Sequence, residues 1–348
     1  MRPAAGGPVR SHRLRAGGRV LELGSRPVLM GIVNASPDSF SDGGRHRTLD
    51  ERVALATELV AAGAEILDVG GESARTGRPP VAVQEEIARV VPLIERLVAE
   101  LGGGAGMPGD GVALSHGGGA PPSRGAPVIS VDTYKPAVAR AALAAGAGIV
   151  NDVSGLRDPA LARVCAAAGA ALVVMHTAAP PLTRLQDPAL YGGDVVGSVM
   201  AFLRERVAAA LAQGLTREQL LLDPGPDFTK TPAQTIELLA ATERLHELGL
   251  PLLMAISRKD FIGALTGRAP RERLAGTLAA LAHGVDAGAQ VFRVHDVAAA
   301  ADFLAVRDAL SGERPPERDL ALADELRHEP PVPGRARVPS EQAVRGIA

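Results

Sequence analysis

Short aliphatic runs alternate with longer amphipathic stretches along most of the chain. The runs lie at 28–33, 65–70, 127–132, 148–151, 171–175, 219–223, 252–256 and 290–294, and each leads into a polar or glycine-rich loop. Continuous runs of Val, Leu and Ile are typical of strands that are buried on both faces of a parallel sheet. Ala/Leu-rich helices are predicted between them, near 48–62, 82–101, 135–145, 158–168, 195–213, 231–248, 271–287 and 296–310.

This alternation predicts the fold class. Eight strands that each precede a helix indicate an α/β protein, specifically a (β/α)8 TIM barrel. An open doubly wound sheet is the alternative, and it usually carries a glycine-rich phosphate turn after its first strand. The stretch MGIVNASPDSF, which contains the end of the first barrel strand, lacks a G-x-G-x-x-G pattern. The closed barrel is therefore favoured.

The segments outside the alternation set the expected domain boundaries. Residues 1–18 are rich in Gly, Pro, Ala and Arg and are expected to be a mobile tail. Residues 19–311 are expected to form one barrel domain, entered through a hairpin within GRVLELGSRPVLMG. Residues 102–125 are a low-complexity insertion before the third strand, expected to be disordered at the amino end of the barrel. Residues 312–348 are expected to be a second disordered tail.

The composition narrows the classes of function. The 348 residues carry a net charge of -2, which provides no long-range field for nucleic acid or for an anionic membrane. No apolar run approaches the ~20 residues of a membrane span, and the N-terminus has no apolar signal core. The single cysteine, Cys165, lies in an apolar helical run and is expected to be a buried structural thiol in a reducing compartment. We therefore expect a cytoplasmic protein.

Polar side chains stand at the end of every predicted strand. In a parallel barrel these ends meet at one mouth, where such folds gather their chemistry. Helix capping is the alternative interpretation of such residues. It explains Asp50, Asp158 and Thr231, which precede or open helices, but it does not explain cationic side chains at strand ends. The strand-end set is Asn34, Asp132, Asn151, His176, Asp223, Ser257, Lys259, Arg293 and His295, together with the loop GGESARTG after Asp68.

Part of this set is suited to an anion. The two-residue period of a strand places Arg293 and His295 on one face of the last strand, so both cations are predicted to point toward the same centre. Ser257 and Lys259 are related in the same way if the chain stays extended there, and Arg75 adds a donor from the glycine-rich loop. Such a group suits a phosphate or a pyrophosphate.

The remaining strand-end residues are hydrogen-bond acceptors. They comprise the carboxylates of Asp132 and Asp223 and the amide of Asn151. A ligand with an anionic end and a flat, donor-rich heterocyclic end would satisfy both groups of residues.

Seven motifs within residues 27–311 carry a resemblance to a known family. They are MGIVNASPDSFSDGG, DVGGESARTG, ISVDTYKPAVARAALAAGAGIVND, VVMHT, LLLDPGPDFTKT, SRKDFIG and RVHDV. In order and spacing they resemble the motifs of the dihydropteroate synthases. The resemblance implies a (β/α)8 barrel that joins 6-hydroxymethyl-7,8-dihydropterin pyrophosphate to 4-aminobenzoate, giving 7,8-dihydropteroate and pyrophosphate in folate synthesis. It also implies Mg2+, a homodimer and inhibition by sulfonamides.

The resemblance assigns roles to residues of this chain. Pterin binding falls to Asp132, Asn151, Asp223 and Lys259. Pyrophosphate and its Mg2+ fall to Asn34, Arg293 and His295, with Asn34 as the metal ligand. The substrate site is completed by Arg75, Ser257, Phe228 and Met175. The expected catalytic residues are Lys259, Asp132 and Asp223.

Two motifs depart from the family pattern. GGESARTG stands where the family usually reads GGESTRPG, so Ala74 replaces a hydroxyl. DPGPDFTKT stands where it usually reads DPGIGFGKT, so Pro226, Asp227 and Thr229 stiffen and charge a loop that is normally rich in glycine. These departures keep open a catalytically impaired paralogue that acts as a pterin-binding module. A pterin-dependent methyltransferase is a further alternative, but it has no pyrophosphate to hold.

Overall fold

The computed structural model describes residues 10–36, 48–73, 76–102 and 125–315, together with 320, 322 and 326. The chain divides into two compact units, residues 1–303 and 304–348. All strands and the candidate site belong to the first unit. Several predictions concern residues outside the described ones and remain predictions: they involve Ala74, Arg75, residues 103–124, residues 1–9 and most of residues 312–348.

Ten strands are found among the described residues. A hairpin consists of β1 His12–Ala16 and β2 Arg19–Leu23. The others are β3 Val28–Asn34, β4 Ile66–Gly70, β5 Val128–Asp132, β6 Ile149–Asp152, β7 Ala171–Met175, β8 Leu220–Asp223, β9 Leu253–Met254 and β10 Val291–Val294. These eight pair in parallel in the order β8-β7-β6-β5-β4-β3-β10-β9, and a bridge between Leu222 and Leu252 joins the two ends. The predicted (β/α)8 barrel is confirmed.

The helices follow the strands as predicted, with two differences. They are α1 Leu49–Ala61, α2 Val83–Leu101, α3 Pro136–Ala144, α4 Ala160–Ala168, α5 Val195–Ala212, α6 Pro232–Ala240, α7 Thr242–Leu245, α8 Asp260–Thr266, α9 Leu274–Asp286 and α10 Val297–Ser311. The predicted helix at 231–248 is divided into α6, α7 and a 3-10 turn. The short helix α8, which Gly267 ends with a φ of +69°, was missed because it is too short to show a periodic apolar face.

Local capping chemistry explains where several helices begin. Thr48 and Glu51 form a capping box at the start of α1. Thr231 and Gln234 form another at the start of α6, where Pro232 occupies the first turn. The cap interpretation of Thr231 is therefore confirmed.

The N-terminal hairpin corrects two predictions. Residues 12–16 form a strand, so the expected mobile tail to residue 18 is wrong for this segment. The strand Arg19–Leu23 pairs with β1 in antiparallel fashion and not with the strand that begins at Val28. Gly17 and Gly18 form the connecting turn with φ values of +59° and +82°, as a two-residue hairpin turn requires. The sequence contained this Gly-Gly signal within a segment dominated by Arg and Gly.

The hairpin covers the amino end of the barrel. Its buried residues Leu14, Ala16 and Leu23 belong to the same core cluster as the inward side chains of the barrel strands. The N–H of Gly17 donates to the carbonyl of Gly169 at 3.2 Å, and Arg19 Nη1 donates to the carbonyl of Pro127 at 2.9 Å. The aliphatic core thus fills the amino half of the barrel, and the polar side chains lie toward its carboxyl end.

The described residues support neither a reactive cysteine nor a membrane-spanning helix. Cys165 is completely buried in α4, as predicted, and burial raises the pKa of its thiol to about 12, which disfavours the reactive thiolate. Across the part of the chain that the structure describes, no helix combines the length and apolarity that a membrane span needs.

Candidate active site

A cavity of about 540 Å³ opens at the carboxyl ends of the barrel strands. Its volume is in the range of small-molecule sites. Except for Arg75, which is outside the described residues, and His176, every site residue predicted from the sequence lines it. They are Asn34, Asp132, Asn151, Met175, Asp223, Phe228, Ser257, Lys259, Arg293 and His295.

The centre of the polar layer is a carboxylate whose role sequence reasoning missed. Asp68, in the middle of β4, is completely buried. Its carboxylate accepts hydrogen bonds from Ser130 Oγ at 2.7 Å, Asn151 Nδ2 at 3.0 Å and Arg293 Nε at 2.7 Å. These partners stand on β5, β6 and β10, so Asp68 ties four strands together. The signal was an acidic residue inside the apolar run ILDVG, at a position that faces the barrel interior.

Asp132 shares the guanidinium of Arg293 with Asp68. Arg293 Nη2 lies 3.1 Å from Asp132 Oδ2. Burial and the neighbouring carboxylate of Asp68 raise the pKa of Asp132 to about 7, although Arg293 opposes the shift. The carboxyl of Asp132 therefore changes its charge near neutral pH. A guanidinium carries five N–H donors, so these two ion pairs leave donors for an anionic ligand.

Asp223 both ends β8 and lines the cavity. Its Oδ1 accepts the N–H of Gly225 at 2.7 Å, which fixes the carboxylate at the start of the following loop. Gly225 has a φ of +66°, and a Cβ there would lie 2.2 Å from the carbonyl oxygen of His176, so only glycine fits. Burial raises the pKa of Asp223, while the Gly225 N–H and the ammonium of Lys259 oppose the shift. Capping the loop and facing the ligand are thus compatible roles.

The loop after β8 is shaped from inside by Lys230, which sequence reasoning also missed. Lys230 is completely buried, and its Nζ donates to the carbonyls of Gly225 at 2.8 Å and Phe228 at 3.0 Å. Burial lowers the pKa of Lys230 to about 7. The loop conformation that presents Phe228 to the cavity therefore depends on a side chain that the cavity does not contact.

His176 does not belong to the mouth of the barrel, contrary to the prediction. It follows Met175 by one residue and therefore takes the opposite face of the chain. Its ring packs edge-on against Phe202 with ring centroids 4.8 Å apart, and its Nδ1 lies 2.9 Å from Lys230 Nζ. Burial and the charge of Lys230 lower the pKa of His176 to about 2, so the neutral ring accepts a hydrogen bond from Lys230.

Lys259 and Phe228 form one wall of the cavity. The ammonium of Lys259 lies 4.4 Å from the centre of the Phe228 ring, a cation–π contact worth about 0.5–2 kcal/mol. Burial lowers the pKa of Lys259, while the carboxylates of Asp227 and Asp223 oppose the shift. Arg273 Nη1 donates to the carbonyl of Lys259 at 3.1 Å and holds the backbone in place.

In the absence of a ligand, the surroundings of His295 disfavour the cationic form that was predicted from the sequence. Its Nδ1 lies 3.0 Å from Ser257 Oγ, which also accepts the backbone N–H of His295 at 3.2 Å. Burial, together with the charges of Arg258 and Arg293, lowers the pKa of His295 to about 3. The ring shares the cavity with Arg293 as predicted, but it offers an N–H donor and not a charge.

The loop after β8, which departs from the family motif, has backbone conformations that are typical of glycine. Asp227 and Thr229 have φ values of +63° and +54°, a region that favours glycine. Both side chains bond to other parts of the chain. Asp227 Oδ2 accepts the N–H of Asp260 at the start of α8. Thr229 Oγ1 accepts the N–H of Ala178 at 3.0 Å and lies 2.9 Å from the hydroxyl of Tyr191. The substitutions therefore tie this loop to its neighbours.

Comparisons with known proteins agree with this geometry. The family model for pterin binding enzymes matches residues 30–103 and 122–295. The dihydropteroate synthase of Synechocystis sp. is 39% identical over 299 residues, which cover 85% of this chain and 94% of the relative. The solved structure of Xanthomonas albilineans dihydropteroate synthase with 4-aminobenzoic acid is 44% identical, has a TM-score of 0.72, and covers 86% of this chain and 98% of that chain. A complex of the enzyme from that organism with 7,8-dihydropteroate is 43% identical, with a TM-score of 0.69 and the same coverage.

The match to the family model extends over the barrel from the first parallel strand to His295. It includes every predicted site residue that lines the cavity. The resemblance seen in the motifs is thereby confirmed. The chain belongs to the pterin-binding enzymes and, within them, to the dihydropteroate synthases, which are transferases.

Proposed function

We propose that this protein is an active synthase that condenses 6-hydroxymethyl-7,8-dihydropterin pyrophosphate with 4-aminobenzoate, giving 7,8-dihydropteroate and pyrophosphate in folate biosynthesis. The main support is one cavity that joins a buried layer of carboxylate and amide acceptors to the cationic and N–H donor groups at the ends of β9 and β10. A pterin presents donors at one end, and its pyrophosphate presents acceptors at the other.

The acceptor layer suits the pterin. The amino group and ring N–H of a pterin are parallel donors that a carboxylate accepts in bidentate fashion. Asp223 and Asp132 offer such carboxylates, and Asn151 is held in place by Asp68. Lys259 donates to the ring oxygen and nitrogen. Met175 and Phe228 line the same cavity with apolar surface.

The other end suits pyrophosphate. Arg293 supplies charge and directed N–H donors, and His295 and Ser257 form a hydrogen-bonded pair beside it. An anionic ligand favours the charged form of a neighbouring histidine, so pyrophosphate would raise the pKa of His295. Arg75, in the glycine-rich loop, is proposed as a further donor on the strength of the resemblance.

The residues at this end fit Mg2+ delivered with pyrophosphate. In the described ranges, no group of three or more His, Cys, Asp or Glu side chains is placed to hold a metal ion. Asn34 ends β3 and lines the cavity, and its amide oxygen is a hard ligand. Mg2+ commonly takes substrate phosphates and water as most of its ligands, so one protein oxygen suffices. We assign Asn34 as that ligand, and the ion when bound neutralises charge on the leaving group.

The side chains account for the chemistry as follows. Pyrophosphate leaves from a carbon attached to the electron-rich dihydropterin ring, so positive charge develops at that carbon and negative charge on the leaving group. The carboxylates of Asp132 and Asp223 stabilise the first, and Arg293 stabilises the second. The amine of 4-aminobenzoate then attacks the carbon. Lys259 holds the ring so that the carbon faces the incoming amine.

A coupled assay of pyrophosphate release tests the proposal. Release should require the pterin pyrophosphate and should proceed to dihydropteroate only when 4-aminobenzoate is present. Binding of the dihydropterin without any release would instead favour the binding module. Two further parts of the proposal rest on the resemblance and the composition: a homodimer, which sedimentation velocity would test, and a cytoplasmic location.

Pterin affinity should rise as the pH increases from about 6 to about 8. The pKa of Asp132 is about 7, and the ionised carboxylate is the form that accepts two donors. Over this range the ionised fraction grows from about a tenth to about nine-tenths, so the affinity should increase by up to about tenfold. The opposite sign holds for folding. Because the raised pKa lets the folded state bind a proton that the unfolded state releases, this group lowers the free energy of unfolding as the pH rises from about 4 to about 7.

Calorimetric titration of the dihydropterin at each pH measures this effect. Asp132→Asn is the reference, since its affinity should be weak and should lack the rise. A flat wild-type profile over the same range would show that Asp132 does not titrate there.

Ala74→Thr should separate an active synthase from a binding module. This residue lies outside the described ones, so the prediction rests on the resemblance. A hydroxyl near the anion can add a hydrogen bond worth about 1.5–3 kcal/mol. Turnover or sulfonamide sensitivity should therefore increase by about tenfold or more. Steady-state pyrophosphate release across a sulfonamide titration measures both. Turnover in neither protein, with dihydropterin binding preserved, would favour the binding module.

A further inference from the structure

Asp227 connects the loop after β8 to two helices. Its backbone N–H donates to Thr235 Oγ1 on α6 at 3.0 Å. Its Oδ2 accepts the N–H groups of Asp260 and Phe261, the first residues of α8. Lys259, at the N-cap position of α8, provides no side-chain cap. The start of α8 is therefore capped by a residue 33 positions earlier in the sequence.

Asp227 occupies a backbone conformation that a non-glycine residue rarely takes. Its φ is +63°, and glycine adopts this region without strain. The side chain thus supplies something that glycine could not. The cap at α8 is one such contribution, and it uses only Oδ2. Oδ1 is also buried, and it has no hydrogen-bond partner among the described residues.

Asp227 adjoins the residues that surround Lys259. Lys259 directly precedes Asp260, to which Asp227 bonds, and its ammonium lies over the ring of Phe228, which directly follows Asp227. Burial lowers the pKa of Lys259, and nearby carboxylates act in the opposite direction. The carboxylate of Asp227 has the largest such effect, and that of Asp223 has the second largest.

The other charged and titratable groups around Lys259 stand on several elements. Asp260 on α8 also favours the ammonium, and Arg293 on β10 disfavours it. Lys230, in the loop after β8, and His295, after β10, are affected by the charge of Lys259 in turn. Most of these groups belong to the polar layer or are themselves cations. Asp227 and Asp260 are the acidic groups that lie outside the barrel strands, and Asp227 has the larger effect of the two.

We propose that Asp227 is a positioning residue for Lys259, which it holds against the Phe228 ring by fixing the start of α8 and by adding a negative charge to the surroundings of the ammonium. The inference rests on the proposed role of Lys259 in pterin binding. It assigns a function to a side chain at a position where the motif of the family usually has glycine.

Two substitutions separate the cap from the charge. Asp227→Asn keeps the cap, since Asn and Asp are equally good at accepting helix N–H groups, but it removes the charge. Asp227→Gly relieves the backbone strain and removes both contributions. Glu237→Gln is the matched control, because it removes the same charge from an exposed position on the adjoining helix α6.

Calorimetry between about pH 7 and pH 9.5 measures the affinity for the dihydropterin, and thermal unfolding measures the stability of each variant. Asp227→Asn should leave the unfolding temperature close to that of the wild type and weaken binding about fivefold, within the coupling expected for groups in contact. The pH above which affinity falls should move down, because the ammonium of Lys259 loses a favourable charge. Asp227→Gly should weaken binding at least as much, and Glu237→Gln should match the wild type.

The inference is wrong if Asp227→Asn binds like the wild type at every pH, or if Glu237→Gln produces the same shift. The failure of the proposed function has a different signature. In that case the wild-type protein itself does not bind the dihydropterin, and this inference falls with it.

Discussion

Asp68→Asn is expected to lower the free energy of unfolding by about 3 kcal/mol and to remove most of the affinity for the dihydropterin. Asp68 is completely buried and accepts from Ser130, Asn151 and Arg293. Removing one partner of a buried ion pair commonly costs about 3–5 kcal/mol, because the other charge is left uncompensated. The lower end applies because Arg293 keeps its pair with Asp132.

The loss of affinity has a separate cause. An asparagine at position 68 can keep its oxygen toward Asn151 and Arg293 and donate its amide N–H to the Ser130 hydroxyl, but it lacks the negative charge that pairs with Arg293, so both side chains are held less firmly. Both side chains line the cavity. Their displacement disturbs the pterin end and the pyrophosphate end together. We therefore expect an effect on binding that exceeds that of any single contact to the ligand.

Urea denaturation and calorimetry with the dihydropterin measure the two effects. Ser130→Ala is the matched control, because it removes one of the three hydrogen bonds and leaves the charges in place. It should cost only about 1 kcal/mol of stability and should change the affinity little. If Asp68→Asn behaved like Ser130→Ala, Asp68 would be one acceptor among several and not the centre of the polar layer.

The sequence predicted the barrel because its strands are continuous aliphatic runs. β4 and β7 are buried at every position, so β7 is an unbroken apolar run and β4 is an apolar run that only Asp68 interrupts. The hairpin was partly missed because β1 and β2 keep exposed polar residues between the buried ones. The sequence analysis paired β2 with the strand that follows it in the chain. The Gly17–Gly18 turn instead pairs β2 with β1, the strand that precedes it.

Candidate site residues were predictable where a strand ends, because parallel strands bring their carboxyl ends together. This rule did not identify Asp68 or Lys230, for two different reasons. Asp68 lies inside a strand and faces inward, where its partners come from three distant segments. Lys230 lies in a loop and looks exposed by pattern, although it is completely buried. The charge of His295 could not be predicted from the sequence either, because it depends on burial and on the cations that the fold places around the ring.

Asp223→Asn is expected to weaken dihydropterin binding by about 2–4 kcal/mol, roughly thirtyfold to a thousandfold. A charged acceptor of two parallel donors becomes an amide, and half of that amide is a donor that faces donors. The fold should tolerate the change, because the remaining oxygen still accepts the N–H of Gly225.

Stability and affinity should therefore move independently in this variant. Burial raises the pKa of Asp223, which means that the folded protein holds the ionised carboxylate less favourably than the unfolded chain does. Replacing it with a neutral amide should leave the free energy of unfolding unchanged or slightly higher at pH 7, while the affinity falls. Calorimetry and urea denaturation on the same preparation measure both quantities. A residue that only caps the loop would show no change in affinity, and that result would remove Asp223 from the pterin site.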